Sequence, residues 1–141
     1  MVRKFQKSDL ELVMEIWLSG NEDAHPFISK EYWKSNFESV QEQLLEAEVY
    51  VFEADEVIKG FIGMQGNYIA GIFVKREFRR AGIGRQLLNY VKAGHSDLTL
   101  HVYQKNKAAV EFYRREGFCI ISEEIESDTK EVTEPTSWRQ A

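Results

Sequence analysis

Apolar residues first recur at helical spacing in Leu10, Val13, Met14, Trp17 and Leu18, behind Ser8 and Glu11, which are spaced as a capping box. A first helix is predicted there. Trp33, Phe37, Val40 and Leu44 form a second stripe after the break at His25-Pro26, where a proline starts a new segment. From Glu48 the period shortens: Val49, Val51 and the run through Phe61 and Ile62 read as two strands of a hairpin turning at Asp55-Glu56. Tyr68 to Val74 is apolar on both parities, the pattern of a central strand buried on both faces. Helical spacing returns with Ile83, Leu87, Leu88 and Val91, with Gly94 as the stop, and Leu98, Leu100 and Val102 alternate as another strand. Asn106 stands where it can N-cap a last helix carrying Ala109, Phe112 and Tyr113 and ending at Gly117. Strands around Cys119–Ile125 and near Trp138 close the chain.

The order is thus β-α-α-β-β-β-α-β-α-β-β, a mixed sheet with helices on its faces. This predicts an α/β or α+β fold with β-α-β crossovers in its second half. Residues 1–141 suit one domain, with no internal repeat or linker composition and prolines only at Pro26 and Pro135.

Composition narrows the function. With 43% hydrophobic and 13% aromatic residues the chain can build a core, which argues against disorder. A net charge of −5 disfavours a phosphate-backbone binder, so no nucleic-acid partner is expected. No stretch approaches the roughly 20 apolar residues of a membrane span, and the start lacks a signal-peptide core, so no membrane partner is expected either. The lone Cys119 rules out an internal disulfide framework and a multi-thiolate metal site; it reads as a small buried hydrophobe in a protein of the reducing cytoplasm.

The most informative stretch lies between a strand and a helix, from Val74 to Arg85. Lys75, Arg76, Arg79, Arg80 and Arg85 face only Glu77 there, and Gly82 and Gly84 leave backbone N–H groups open at a helix start, where the dipole favours an anion. A small-anion site is predicted. It is not a Walker loop, because no Gly-x-x-x-x-Gly-Lys-Ser/Thr string exists, and Leu87 stands where the dinucleotide fingerprint needs a third small residue.

Arg79-Arg-Ala-Gly82-Ile-Gly84 resembles the Arg/Gln-x-x-Gly-x-Gly/Ala signature of the GCN5-related N-acetyltransferases. A second block is similar to the family's later strand and helix: Leu98, Leu100 and Val102, then Asn106, Ala109, Tyr113 and Gly117-Phe118. The resemblance implies a mostly antiparallel mixed sheet with a central splayed parallel strand pair and about four helices on its faces. It implies transfer of acetyl from acetyl-CoA, as cosubstrate and without a metal, to a primary amine by direct attack in a ternary complex. The pyrophosphate would then rest on the amides of Arg79, Arg80, Ala81, Gly82, Ile83, Gly84 and Arg85. The pantetheine arm would pair with the backbone of Ile72, Phe73 and Val74, with Gly71 suited to a bulge. Asn106 would reach the pantetheine amides, and Tyr113, protonated at neutral pH, would serve the departing thiolate as general acid.

The base is less marked, since no Asp or Glu lies between Phe61 and Val74. Glu22, His25, Glu53 and His101 are the candidates. A non-catalytic acyl-CoA binding module is the alternative reading. Gly20 to Phe27, with Tyr32 and Trp33, occupies the place where the family shapes its acceptor pocket, and mixes aromatic and acidic side chains suited to a cationic amine. The acceptor itself, a small molecule or a protein, stays open, as does the choice between monomer and homodimer. The acidic run 123–134 is expected to form an exposed hairpin.

Overall fold

Charge fixes how the chain begins. Arg3 of strand β1 (Val2–Lys4) donates to both carboxylate oxygens of Asp9, at 2.8 and 3.1 Å, and to Glu53 at 2.8 Å. Asp9 also accepts the Gln6 backbone N–H at 2.8 Å, closing a 3-10 turn (Lys7–Asp9) that leads into helix α1 (Leu10–Ala24). The capping box expected at Ser8 and Glu11 is therefore displaced, because Asp9 both caps the turn and partners Arg3. The guanidinium holds the Asp9 carboxyl below its ordinary range, against the opposing effect of burial. That stabilisation is present above the unfolded carboxyl pKa of about 3.9 and is lost as pH falls through the lower folded value. Arg3→Ala should cost about 2 kcal/mol at pH 7 in urea denaturation, since it leaves a buried carboxylate short of its donors; an unchanged midpoint would contradict this.

The computed structural model describes residues 1–140. Its second helical stripe divides into α2 (Lys30–Ser35) and α3 (Phe37–Glu46), so five helices are found among the described residues where about four were expected. The cause is local. Asn36 donates from Nδ2 to the Tyr32 carbonyl at 2.7 Å, offering the backbone a side-chain partner that ends one helix and begins the next.

One sheet gathers β1, β2 (Glu48–Ala54), β3 (Val57–Gln65), β4 (Tyr68–Val74), β5 (Asp97–Tyr103), β8 (Val132–Arg139) and β6 (Cys119–Ile120), in that spatial order, with β7 (Glu124–Ile125) also on β8. Every pairing is antiparallel except β4 with β5, which helix α4 (Ile83–Lys92) joins as a crossover. Helix α5 (Lys107–Arg115) follows β5. The hairpin predicted at Asp55-Glu56 forms, with both residues at positive φ. The acidic run 123–134 spans β7, a turn and the start of β8; its strand β7 and turn are largely exposed, while Thr133 and Glu134 are buried.

Alternation sorts the side chains onto two cores. Ile62, Met64, Ile69, Leu98 and Leu100 meet Leu87 and Leu88 of α4 and Tyr113 of α5 on one face. Val49, Val51 and Phe61 meet Val13, Met14 and Trp17 of α1 on the other.

The parallel pair is the exception to close pairing. β4 and β5 share one register pair, Tyr68↔Thr99, beside a bond from the Thr99 N–H to the Asn67 carbonyl at 3.0 Å. Beyond it the two strands separate. The central strand is consequently less buried than its apolar sequence predicted: Ile69 is enclosed, Ala70 is exposed and Gly71 to Val74 are half-buried. The bulge also falls one residue early. Gly63 pairs Gly71 and Met64 pairs Ile69, leaving Ala70 as the extra residue. Gly71 has a different task, because a Cβ there would lie 2.5 Å from the Phe73 ring, which covers it. Cys119, expected in the core, is exposed on β6 at the sheet edge.

Candidate active site

The gap between β4 and β5 has a backbone wall. On its β3 side β4 pairs throughout, Ile72 with Ile62, Phe73 with Phe61 and Val74 with Gly60. On its β5 side pairing stops at Tyr68. An extended ligand laid in the gap meets strand-edge donors and acceptors at Ile72 to Val74, as an added strand would.

The open end of the gap leads to the start of α4. Gly82 is its N-cap at φ +79, a left-handed conformation that glycine adopts freely, and it supplies no side chain to cap the helix. The first bond made inside the helix runs from the Gln86 N–H to the Gly82 carbonyl at 3.0 Å. The N–H groups of Ile83, Gly84 and Arg85 thus point out of the helix end, as an oxyanion requires. Arg80 and Ala81 are exposed ahead of them. Arg79, also exposed, folds back along the loop: its Nε donates to the Val74 carbonyl at 3.2 Å and its Nη2 lies 3.7 Å from Asp23, tying the loop to the ends of β4 and α1. Arg85 reaches Glu116 at 3.5 Å.

Tyr113 comes up from the α5 side. It is 9% exposed, with its ring against Phe112 at 5.2 Å and Phe118 at 5.5 Å. Burial, with a smaller contribution from Tyr68, pushes the phenol above its ordinary range, so it stays protonated. No hydrogen bond of its hydroxyl is found among the described residues. Asn106 caps α5, its Oδ1 accepting the Ala109 N–H at 3.2 Å, while its Nδ2 donates to His25 Nε2 at 3.1 Å.

The four candidate bases separate sharply. Glu53 is held by Arg3 at the β1 end of the sheet. Glu22 lies on α1, half-buried. His25 is enclosed by Phe27, Trp33 and Tyr103, with ring centroids at 5.6, 5.4 and 4.8 Å, and burial pushes its pKa down to about 4. Since Asn106 Nδ2 donates to Nε2, the neutral ring carries its proton on Nδ1, which is buried without a partner among the described residues, as is Trp33 Nε1. His101 lies on β5, two residues beyond the last residue paired with β4. Its Nδ1 lies 3.2 Å from the Tyr68 hydroxyl and its Nε2 3.5 Å from Glu124, a chain from the closed end of the gap to an exposed carboxylate. Tyr68 was absent from the candidate residues, and only its place as the last paired residue before the splay marks it.

The segment expected to shape the acceptor pocket does not form an open cleft at His25. Phe27, Trp33 and Tyr103 close around that imidazole, and Glu126, bonded to Tyr103 at 2.7 Å, ties the β7–β8 turn over them.

A mixed sheet splayed at one parallel pair, with an uncapped glycine helix start at the mouth of the splay, suits an extended ligand that carries an oxyanion. Residues 15–134 match the family described as the Acetyltransferase (GNAT) domain, and the chain belongs to that family. It is 37% identical over 140 residues to the peptidyl-lysine N-acetyltransferase YiaC of Escherichia coli strain K12, covering 98% of this chain and 96% of YiaC. Among solved structures, apo YjaB from Escherichia coli superposes with a TM-score of 0.87 at 24% identity, over 100% of this chain and 98% of YjaB. A putative streptothricin acetyltransferase from Bacillus anthracis str. Ames, solved with acetyl coenzyme A, has a TM-score of 0.62 at 24% identity over 67% of this chain and 63% of its own.

Proposed function

We propose that this acetyltransferase acylates the side-chain amine of lysine in proteins, and that its donor lies in the β4–β5 gap with its pyrophosphate on the start of α4. The similarity to YiaC along nearly the whole of both chains supports the acceptor class. The observation that carries the donor site is the single Tyr68↔Thr99 pair, which frees the β4 edge beside an uncapped helix start.

In this reading the amides of Arg79 to Arg85 hold the pyrophosphate, and Ile72, Phe73 and Val74 pair with the pantetheine arm. Asn106 has one amide hydrogen left beyond its bond to His25, directed at a pantetheine carbonyl. The bulge at Ala70 turns strand N–H groups toward the thioester oxygen, where they stabilise the oxyanion of the tetrahedral intermediate. The amine nitrogen attacks the carbonyl carbon, the C–S bond breaks, and Tyr113 protonates the sulfur. The proton from the amine leaves through His101 and Glu124 to solvent. Alternation supports that division, since Tyr113 belongs to the α4–α5 face and Tyr103, of the same parity as His101, packs on the other. An exposed free thiol at Cys119 suits a reducing compartment, in keeping with a cytoplasmic protein.

Turnover of acetyl-CoA with lysyl peptides, read as coenzyme A release and peptide mass, tests the acceptor. Release with small amines alone would redirect it. Gly82→Val tests the donor site. The position is sterically open, so the cost is the left-handed backbone, about 1–2 kcal/mol, borne where the amides must face phosphate. Acetyl-CoA Kd should rise about tenfold or more by calorimetry; an unchanged Kd would move the pyrophosphate elsewhere.

A further inference from the structure

The β4–β5 gap has a closed end as well as a mouth, and side chains outside the donor site hold that end together. β3 turns into β4 through Gly66-Asn67, between the paired residues Gln65 and Tyr68. Asn67 crosses to β5 twice: its carbonyl accepts the Thr99 N–H at 3.0 Å, and its Nδ2 donates to Asp97 Oδ2 at 2.9 Å. Both ties lie beside the one register pair, Tyr68↔Thr99. His95 brings in a third element. Its Nδ1 lies 2.7 Å from the Val91 carbonyl in the last turn of α4, and its Nε2 lies 3.2 Å from the Gly66 carbonyl. Carbonyl oxygens only accept, so the ring that makes both bonds carries both protons, and its charge then lies at the helix end where the dipole is negative.

We propose that Asn67, His95 and Asp97 form a clasp that sets the opening of the β4–β5 gap, and that they are positioning residues for the donor although they stand at the end of α4 opposite its pyrophosphate. The inference rests on the donor site proposed above and adds to it the residues that fix its width. Two strands joined at one pair part by an angle that the pair alone leaves loosely held. The Asn67 side chain supplies a second point of attachment to β5, and His95 a third through α4. That helix runs ten residues, about 15 Å, so the end tied by His95 and the end that presents the Ile83, Gly84 and Arg85 amides belong to one rod. Pantetheine on Ile72 to Val74 and pyrophosphate on those amides need a single spacing between β4 and α4. A clasp that holds this spacing before the donor arrives removes an ordering cost from binding.

Reversing the Asn67–Asp97 pair tests it. Asn67→Asp sets a second carboxylate against Asp97 in place of the amide donor, at an exposed turn where the fold is at little risk. Acetyl-CoA Kd, measured by calorimetry well below the melting transition of every variant, should rise about fivefold, the scale of an exposed charged contact. Adding Asp97→Asn restores a donor facing an acceptor with the roles exchanged, and should bring Kd back to within about twofold of wild type, as coupled neighbours do. Gln65→Glu controls for charge, since it adds the same charge at an exposed position two residues away, and should leave Kd within about twofold of wild type because solvent and salt screen it. His95→Ala frees the turn from α4 and should raise Kd about threefold, the loss of modest hydrogen bonds. A merely structural contact would lower the melting temperature of the single variants and leave Kd as in the wild type. That result, an Asn67→Asp loss that the reversal does not recover, or an equal loss in Gln65→Glu overturns the clasp. A wild type that binds no acetyl-CoA overturns the donor reading instead, whereas binding lost in Gly82→Val but kept in every clasp variant removes the clasp and leaves that reading standing.

Discussion

Tyr113→Phe is expected to lower kcat by about a hundredfold or more, the usual scale for a lost general acid, with acetyl-CoA Kd changed by less than about twofold. Three observations set this expectation. The ring is packed in the core between Phe112 and Phe118, so phenylalanine keeps the shape and the fold. The hydroxyl has no protein partner among the described residues, so its removal leaves no buried group newly unsatisfied, and stability should stay near wild type or rise slightly. Burial keeps the phenol protonated, as the proposed general acid must be. Single-turnover coenzyme A release, alongside a calorimetric titration with acetyl-CoA, checks both halves. Turnover equal to wild type would reduce Tyr113 to a packing residue.

The second large effect is on stability, and it comes from His25. Its imidazole is 8% exposed and pushed down to about 4, mainly by burial, while an unfolded histidine titrates near 6.5. Above about pH 6.5 both states are neutral and the full stability is present. As pH falls from there toward 4 the unfolded chain takes a proton that the folded chain refuses, so stability drops, by roughly 3 kcal/mol across the window. Urea midpoints at pH 7.5, 6.5, 5.5 and 4.5 should trace this slope. His25→Gln retains an acceptor for Asn106 and removes the titration, so its profile should be flatter across the same range, at some loss of stability near neutrality from disrupted ring packing. Parallel profiles for the two proteins would assign the acid loss to other groups. Because Asn106 bridges His25 to the start of α5, the same protonation should also weaken acetyl-CoA binding below pH 5.

What was legible in the chain was local. The stripe Ile83, Leu87, Leu88, Val91 gave α4, the alternation of Leu98, Leu100 and Val102 gave β5, and Asn106 caps α5 through the bond to Ala109 that its position predicted. The basic, glycine-bearing segment before α4 marked the uncapped helix start proposed for the pyrophosphate for the same reason: a helix start, its dipole and the lack of a capping side chain are all properties of neighbours in sequence. The break at Asn36 was missed because a single side chain, bonding back to Tyr32, overrode a continuous apolar stripe.

The sequence by itself therefore determined most of the elements, their order and the uncapped glycine start of α4. Only the tertiary structure decided that β4 and β5 part after one pair, that His101 rather than Glu53 stands on the strand beside the gap, that His25 is sealed among aromatic rings, and that the Phe73 ring covers Gly71. The physical reason is range. Periodicity and capping act over two to four residues, whereas the burial of an imidazole, the partner of a carboxylate and the shape of a cavity are set by strands and helices brought together from distant parts of the chain.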